Sequence, residues 1–567
     1  MKSSLTMTMI VCTVLLLSSV MTINPIQAEE HNTLIIAGHT GTARTFMNLA
    51  GYDVSAQYVQ ANIYNGLLAM AGDRSTIKYD LAESVDVSDD AKTYTLHLVS
   101  NAKWHDGVPF TSADVKFTLE GIIENEFGHA SALKGVASIE TPDDHTVKIT
   151  LRESDSTFTG KLASHPILFI IPKHIYEGTD WTENPAQRQP IGTGPFKFVE
   201  NVEGSHVTLV AYDEYHGGRP AVDTLVFRET SDASQVSILL ERGDVDYSII
   251  PAPPGEIGRL AEVPHLSLQT GGLPYGALIG FQIGEGPTAD PMVRRAIILA
   301  IDRDEILRKV FRGFGGVSDS PVDYRSFGWA RNPDVVLPAY DPDEAERLLD
   351  EAGYKEGSDG KRFSIPISTF KGFWDKVPPV IKEQLSVVGI EVDVQILDIG
   401  TLQPKLESGD FQGAYVYAGY GQADPGVAWE IQYALGGRFN FPEYNNPRVN
   451  ELFKLGAQTS DQEQRKQYYY EIQTILSEDT PSVLLTTSMN PHIYNNKWTG
   501  FFFQPDIEMT VNWQRFEKVR LVTEPAADPV DAVTDNTTII ILVGAAAAII
   551  VVALVFRKKI PILRKAS

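Results

Sequence analysis

One stretch divides this chain before anything else is read. Ile539–Phe556 is 18 residues without a charge, followed at once by Arg557, Lys558, Lys559, Arg564 and Lys565. As a helix it is about 27 Å long at roughly 1.5 Å per residue, enough to cross a bilayer. The basic flank predicts a cytoplasmic tail, with everything before the span outside the cell. At the other end Lys2 precedes an apolar run, Met9–Met21, too short to span, and Ile26-Gln27-Ala28 offers a small residue for cleavage. Residues 1–28 therefore read as a signal peptide. The remainder divides into a globular part over 29–523, a stalk rich in Pro, Ala and Asp over 524–536, a transmembrane helix over 537–556 and a basic tail over 557–567.

The globular part must fold without covalent staples. The chain has one cysteine, Cys12, inside the leader, so the mature protein has no disulfide, no thiolate nucleophile and no Cys-ligated metal. Hydrophobic residues make up 43% of the chain, enough to build large cores. With 73 acidic and 48 basic residues the net charge is −25, and without Lys2 and the five basic residues of the tail the remainder carries about −31. Such a surface repels phosphate backbones, so no nucleic-acid partner is expected.

No repeat of solenoid length is visible, and strands and helices alternate throughout. Thr33–Ala37 reads as a strand ending in Gly38-His39-Thr40-Gly41. Thr93–Val99 and His145–Leu151 alternate apolar and polar residues. Between them Thr111, with Asp114 three residues on, marks a helix start. Ser205–Ala211, Asp223–Glu229 and Ile390–Leu397 are further strands. Asp341-Pro342-Asp343-Glu344 opens a helix that Gly353 stops, and Asp461–Glu478 is a long helix with Tyr468, Ile472, Ile475 and Leu476 expected inward. The class is α/β, with several sheets and no linker cutting the chain into beads.

Enzyme motifs are missing: there is no His-Glu-x-x-His, Gly-x-Ser-x-Gly or P-loop. Gly192-Thr193-Gly194-Pro195-Phe196 runs into a strand and reads as a tight structural turn rather than a phosphate loop. Asp89-Asp90 and Asp143-Asp144 read as solvated turn residues. No catalytic residue, metal or cofactor is assigned. The aromatic residues say more. Phe373-Trp374, Tyr415, Tyr417, Tyr420, Trp429 and Phe439-Asn440-Phe441 fall close together, and Gly413–Gln422 sets tyrosines among small residues. That pattern suits a strand facing a ligand better than an ordinary sheet packed with aromatic rings, which stays the alternative.

A longer signature narrows the choice. Leu81–Ser84, Ser88–Asp90, Lys92–Val99 and Trp104-His105-Asp106-Gly107, continued by Pro109–Val115, resemble the family 5 extracellular solute-binding proteins, the dipeptide- and oligopeptide-binding components of ABC importers. Pro172-Lys173-His174, Gly192–Phe196, Arg294–Arg303 and Asp341–Tyr354 match in the same order, so the resemblance covers roughly 32–520. It implies a two-lobe periplasmic-binding-protein-like fold of type II with an extra inserted domain, to which this chain adds its C-terminal transmembrane helix. Lobe 1 is expected over 29–68, 185–280 and 495–523, the inserted domain over 69–184, and lobe 2 over 281–494. Trp104–Gly107 is expected to pack a turn rather than to catalyse. The ligand is expected between the lobes, touching Gly38, His39 and Thr40 from lobe 1 and Trp374, Tyr417, Tyr420, Asp424 and Trp429 from lobe 2.

The resemblance also implies a monomer that captures an oligopeptide or other small solute and hands it to permease subunits. Peptide-binding members tend to place an aspartate four residues before the lobe-2 proline, where it holds the ligand's ammonium. Here that position is Gly421, and Asp424 directly precedes Pro425. An oligosaccharide or a nickel complex therefore stays open as the ligand, and a surface hydrolase stays open as an alternative of another class. Anchoring by a helix instead of a lipid-modified cysteine points to a single-membrane cell of archaeal type.

Overall fold

The computed structural model describes residues 32–39, 46, 54–70, 76–127, 130–163, 168–230, 232–250, 252–253, 255–371, 374–419, 424–501 and 515–522. The signal peptide, the stalk, the expected membrane span and its basic tail lie outside these residues. Among the described residues no helix is long and apolar enough to cross a membrane.

In chain order the strands are β1 (Thr33–His39), β2 (Leu68–Met70), β3 (Ile77–Tyr79), β4 (Ala82–Val87), β5 (Thr93–Leu98), β6 (Val136–Asp143), β7 (Thr146–Leu151), β8 (Phe196–Val202), β9 (His206–Ala211) and β10 (Thr224–Glu229). They continue with β11 (Tyr247–Ser248), β12 (Leu266–Phe281), β13 (Gly316–Val317), β14 (Phe363–Phe370), β15 (Ile390–Leu397), β16 (Ala414–Gly419) and β17 (Ser482–Asn495). One sheet runs in the order β15-β14-β16-β12-β17-β11-β1-β10-β9-β8, with β13 paired to β17. Strands β11, β1, β10, β9 and β8 form one end, the sheet of lobe 1. Strands β14, β15 and β16 form the other end, the sheet of lobe 2.

Two long antiparallel strands, β12 and β17, join the ends and belong to both. At one end Leu266 and Ile493 pack into the lobe-1 core with Ala37, Val236, Leu240 and Leu260. At the other, Ala277–Ile279 and Val483–Leu485 pack into the lobe-2 core with Val293, Ile297, Ile365 and Ile390. Between the two cores the register of the pair breaks, from Thr270 opposite Pro491 to Pro274 opposite Met489. A register break in a two-stranded bridge removes ladder hydrogen bonds where bending is needed. The lobe boundaries expected from sequence, at 280/281 and 494/495, stand at the ends of these strands, and the change of core falls inside them.

The inserted domain is a separate antiparallel sheet, β4-β5-β7-β6, backed by the helix Ser112–Glu124. Its core gathers Leu81, Tyr94, Leu96, Trp104, Val115, Leu119, Val147 and Ile149. The helix starts as its sequence directs, with the backbone N–H of Thr111 donating to Asp114 Oδ2 at 2.9 Å. Asp341 caps the helix Pro342–Glu351 through Glu344 N at 3.0 Å, and Gly353 beyond its end has φ +89°. The helix Gln462–Asp479 buries Ile472 and Leu476 as expected, with Tyr468 and Ile475 half-buried against the same core, and it adds Arg465, Tyr469 and Gln473 to the buried stripe. In β15 the alternation holds at Ile390 and Val392, but Ile396 is exposed because the strand lies at the sheet edge.

Candidate functional site

The loop of Trp104–Gly107 and the Gly192–Phe196 turn prove to be one joint. His105 Nε2 donates to Gly194 O at 3.0 Å, and Gly192 N donates to His105 Nδ1 at 3.3 Å. The imidazole is thus held neutral, and burial pushes its pKa down to about 4, with Lys197 adding to the push and the Gly194 carbonyl opposing it. A Cβ on Gly192 would stand 1.9 Å from Ile63 O, so the turn must be glycine to lie against the end of the helix Val54–Ile63. Trp104 is fully buried, and its carbonyl accepts from Tyr212 OH at 3.2 Å. The Trp-His-Asp stretch ties the inserted domain to lobe 1, and its Asp106 pairs with His174 Nε2 at 2.8 Å, both side chains about a third exposed.

A second joint is ionic. Arg515, fully buried, pairs with Asp80 Oδ2 at 3.1 Å and Glu517 Oε2 at 3.3 Å, and it donates to Tyr215 OH at 2.6 Å. Asn65 donates to Asp80 Oδ1 at 2.6 Å and accepts from Thr193 Oγ1 at 3.0 Å. Burial works against the guanidinium charge, but Asp80 and Glu517 overcome it and hold the pKa above its ordinary value. These two joints tie residues of the expected inserted domain to residues of the expected lobe 1.

The lobe-1 residues expected at the ligand lie at the end of β1. Gly38 takes φ +101°, and a Cβ there would meet the Ile250 side chain at 2.8 Å and its backbone N at 3.0 Å. His39 closes the strand opposite Glu229 of β10. Thr40, Tyr420 and Phe373 lie outside the described residues. In the sheet, β1 and β16 are separated by β11, β17 and β12, so the two sets stand on opposite sides of the bending pair.

Most of the expected lobe-2 contacts are core side chains. Trp374 is buried against Phe311, with ring centroids 6.0 Å apart. Trp429 is 1% exposed, its Nε1 donates to Asp323 O at 2.9 Å, and its ring packs edge-on against Phe327 and Tyr469. Its one polar group is already used, and Trp374 and Trp429, both expected at the ligand, lie buried in two hydrophobic clusters. Tyr417 is also buried, with its hydroxyl on Gln403 Oε1 at 2.6 Å and its ring among Phe370 and Phe441. Tyr415 covers Gly280 of the neighbouring strand, where a Cβ would stand 2.2 Å from the ring. Small residues beside tyrosines here reflect rings lying over the next strand.

Asp424 is likewise committed. Its Oδ1 accepts from Arg465 at 2.6 Å and from Gly426 N at 2.7 Å, capping the helix Pro425–Ala428. Arg465 donates in addition to Tyr469 OH at 2.7 Å and Gly456 O at 3.1 Å. The Oδ1 atom of this carboxylate is thus shared between the guanidinium and the start of the helix Pro425–Ala428. Arg465 escaped the sequence reading, although an arginine four residues before Tyr469 on a buried helical stripe is a signal that it has a partner. Among the described residues no group of His, Asp and Glu is placed to hold a metal ion.

Two hydrophobic cores joined by the β12–β17 pair, whose register breaks between them, are the arrangement of a periplasmic-binding-protein-like fold. The chain belongs to the bacterial extracellular solute-binding proteins, family 5, whose family model matches residues 76–439. It is 27% identical over 488 residues to the oligopeptide-binding protein AppA of Bacillus subtilis, covering 83% of this chain and 89% of AppA. The solved structure of AppA in complex with a nonapeptide superposes with TM-score 0.74, covering 87% of this chain and 99% of that one at 26% identity. The glutathione-binding protein GsiB of Pectobacterium atrosepticum is 28% identical, covering 82% of this chain and 90% of its own. AgaA from A. tumefacien R10, solved with agropinic acid, gives TM-score 0.74 at 28% identity, with 87% and 99% covered. The family consists of solute-binding receptors rather than enzymes.

Proposed function

We propose that this chain is the extracellular receptor of an ABC importer, capturing oligopeptides or dipeptides between its lobes and delivering them to the permease. The observation that carries the reading is the division of β12 and β17 between two cores, which lets the lobes part without exposing either. A ligand that touches both lobes stabilises the closed form in proportion to its differential affinity. Gly38, His39, Thr40 and Tyr420 are the residues expected to meet it. The Ile539–Phe556 helix tethers the receptor to the cell membrane, with 557–567 in the cytoplasm.

The engagement of Asp424 by Arg465 favours a second reading, a solute without a terminal ammonium such as an oligosaccharide or a metal chelate. A thermal-shift screen of the purified protein separates the two. A peptide at about 100 times its dissociation constant adds about 2.7 kcal/mol and raises the melting temperature. A shift with oligosaccharides or nickel–histidine and none with peptides would refute the first reading.

A further inference from the structure

Where the inserted domain meets lobe 2, the contacts are of a kind that can be made and broken. We propose that the segment Asp155–Gly160 of the inserted domain is a latch that docks on the end of the lobe-2 helix Pro447–Ala457 and sets how readily the receptor closes. The proposal rests on the two-lobed receptor reading, because the latch is useful only if the lobes move.

Ser156 is the centre of the contact. Its backbone N–H donates to Ala457 O at 2.6 Å, and its hydroxyl donates to Thr459 O at 2.8 Å and lies 3.4 Å from Gly456 O. The last carbonyls of a helix have no partner within it. A serine from another domain therefore supplies the C-terminal cap of this helix. When the domains part, water can take its place, so undocking strands no buried group. The flanking contacts are equally reversible: Glu153 and Lys454 pair at 3.1 Å with both side chains exposed.

The surfaces around Ser156 are shaped for close approach. Gly160, on the short helix Phe158–Ala163, faces lobe 2 so closely that a Cβ there would lie 3.5 Å from Asp424 Cβ and 3.5 Å from Val427 Cγ2. Across the gap a Cβ on Gly426 would stand 3.1 Å from Thr157 Cγ2. The latch is also stiff on its own side. Asp155 Oδ1 accepts from Thr157 N at 3.0 Å and from Thr157 Oγ1 at 2.6 Å, and Lys161 Nζ lies 2.8 Å from Asp155 Oδ2. Tyr94 OH holds the Asp155 carbonyl, and Asp155 N donates to Ala91 O at 3.1 Å. The inserted domain is in turn locked to lobe 1 through His105 and Arg515. Lobe closure thus carries Ser156 onto the helix end as a rigid piece. The docking point adjoins Asp424, which caps the helix Pro425–Ala428.

The test exploits the small space at Gly160. In Gly160→Leu the added side chain sits on a helix that favours leucine over glycine, yet it overlaps lobe 2 whenever the latch is docked. Spin labels are placed at exposed Asp89 and Lys382 in a background with Cys12→Ser, and their separation is measured with and without a tryptic digest of serum albumin. Expected is a shift of Gly160→Leu to longer separations, with the closed population lowered at least about tenfold. Ser156→Ala should shift partway, and Gly160→Ala, whose methyl makes ordinary contact, should follow the wild type. Coincident distributions for Gly160→Leu, Ser156→Ala and wild type in both conditions would overturn the latch. The distances read the latch whether or not peptides are the ligand, and the thermal-shift screen reads the ligand whether or not the latch exists.

Discussion

Replacing His105 by alanine tests the joint between the inserted domain and lobe 1. In the folded protein both ring nitrogens are occupied, one donating to Gly194 O and the other accepting from Gly192 N. Removing the ring leaves those two backbone groups without partners, at about 1–3 kcal/mol each, less whatever water recovers. The stronger prediction concerns pH. The folded pKa is pushed down to about 4, chiefly by burial, whereas an unfolded histidine titrates near ~6.5. Between those values the unfolded chain binds a proton that the folded chain refuses. The contribution of His105 is therefore fully present above pH ~6.5 and is lost as pH falls toward 4, at about 1.4 kcal/mol per pH unit and about 3 kcal/mol in all. Urea unfolding followed by tryptophan fluorescence, on wild type and His105→Ala from pH 7.5 to 4.5, measures the difference. The wild-type advantage should shrink by about 3 kcal/mol over that range. Parallel stability curves would refute the reasoning and show the ring to be solvated.

Three further substitutions probe the remaining joints and the corrected site. Gly192→Ala forces a methyl against Ile63 O and should lower stability by about 3 kcal/mol or more, read as a fall in urea midpoint. Arg515→Met leaves Asp80 and Glu517 buried without their cation and should cost about 3–5 kcal/mol by calorimetry. Trp429→Phe removes the bond to Asp323 O and should cost about 1–3 kcal/mol of stability while leaving ligand affinity within about twofold by titration calorimetry. A large loss of affinity in that variant would return Trp429 to the binding surface.

Much of the fold was legible because local chemistry agrees with it. Thr111 with Asp114, and Asp341 with Pro342 and Gly353, mark helix ends by hydrogen bonds that span three or four residues. The strands β5, β7 and β9 could be read from alternation because one face of each is buried. The candidate site was harder for a physical reason. Whether Tyr415 and Tyr417 face a ligand or a core depends on Gly280, Phe370 and Phe441, which the chain brings alongside from elsewhere. Asp424 looks free until Arg465 is placed beside it, and Asp80 meets Arg515 across 435 residues of sequence. Ser156 carries no sequence signal, since capping a helix from another domain needs no residue pattern near either partner.

The buried bond between Arg515 and Asp80 has a consequence for how the protein is made. Phe516 N also donates to Asn62 Oδ1, so lobe 1 is assembled from the first and the last segments of the globular part. Synthesis delivers the chain from its N-terminus, and domains fold as their residues emerge. The inserted domain is complete long before residue 515 appears, and lobe 2 only about 20 residues before it, while Asp80 waits without its cation. Lobe 1 is the last part to mature, and a ribosome that stalls or a protease that cuts ahead of Arg515 leaves a receptor with one finished jaw.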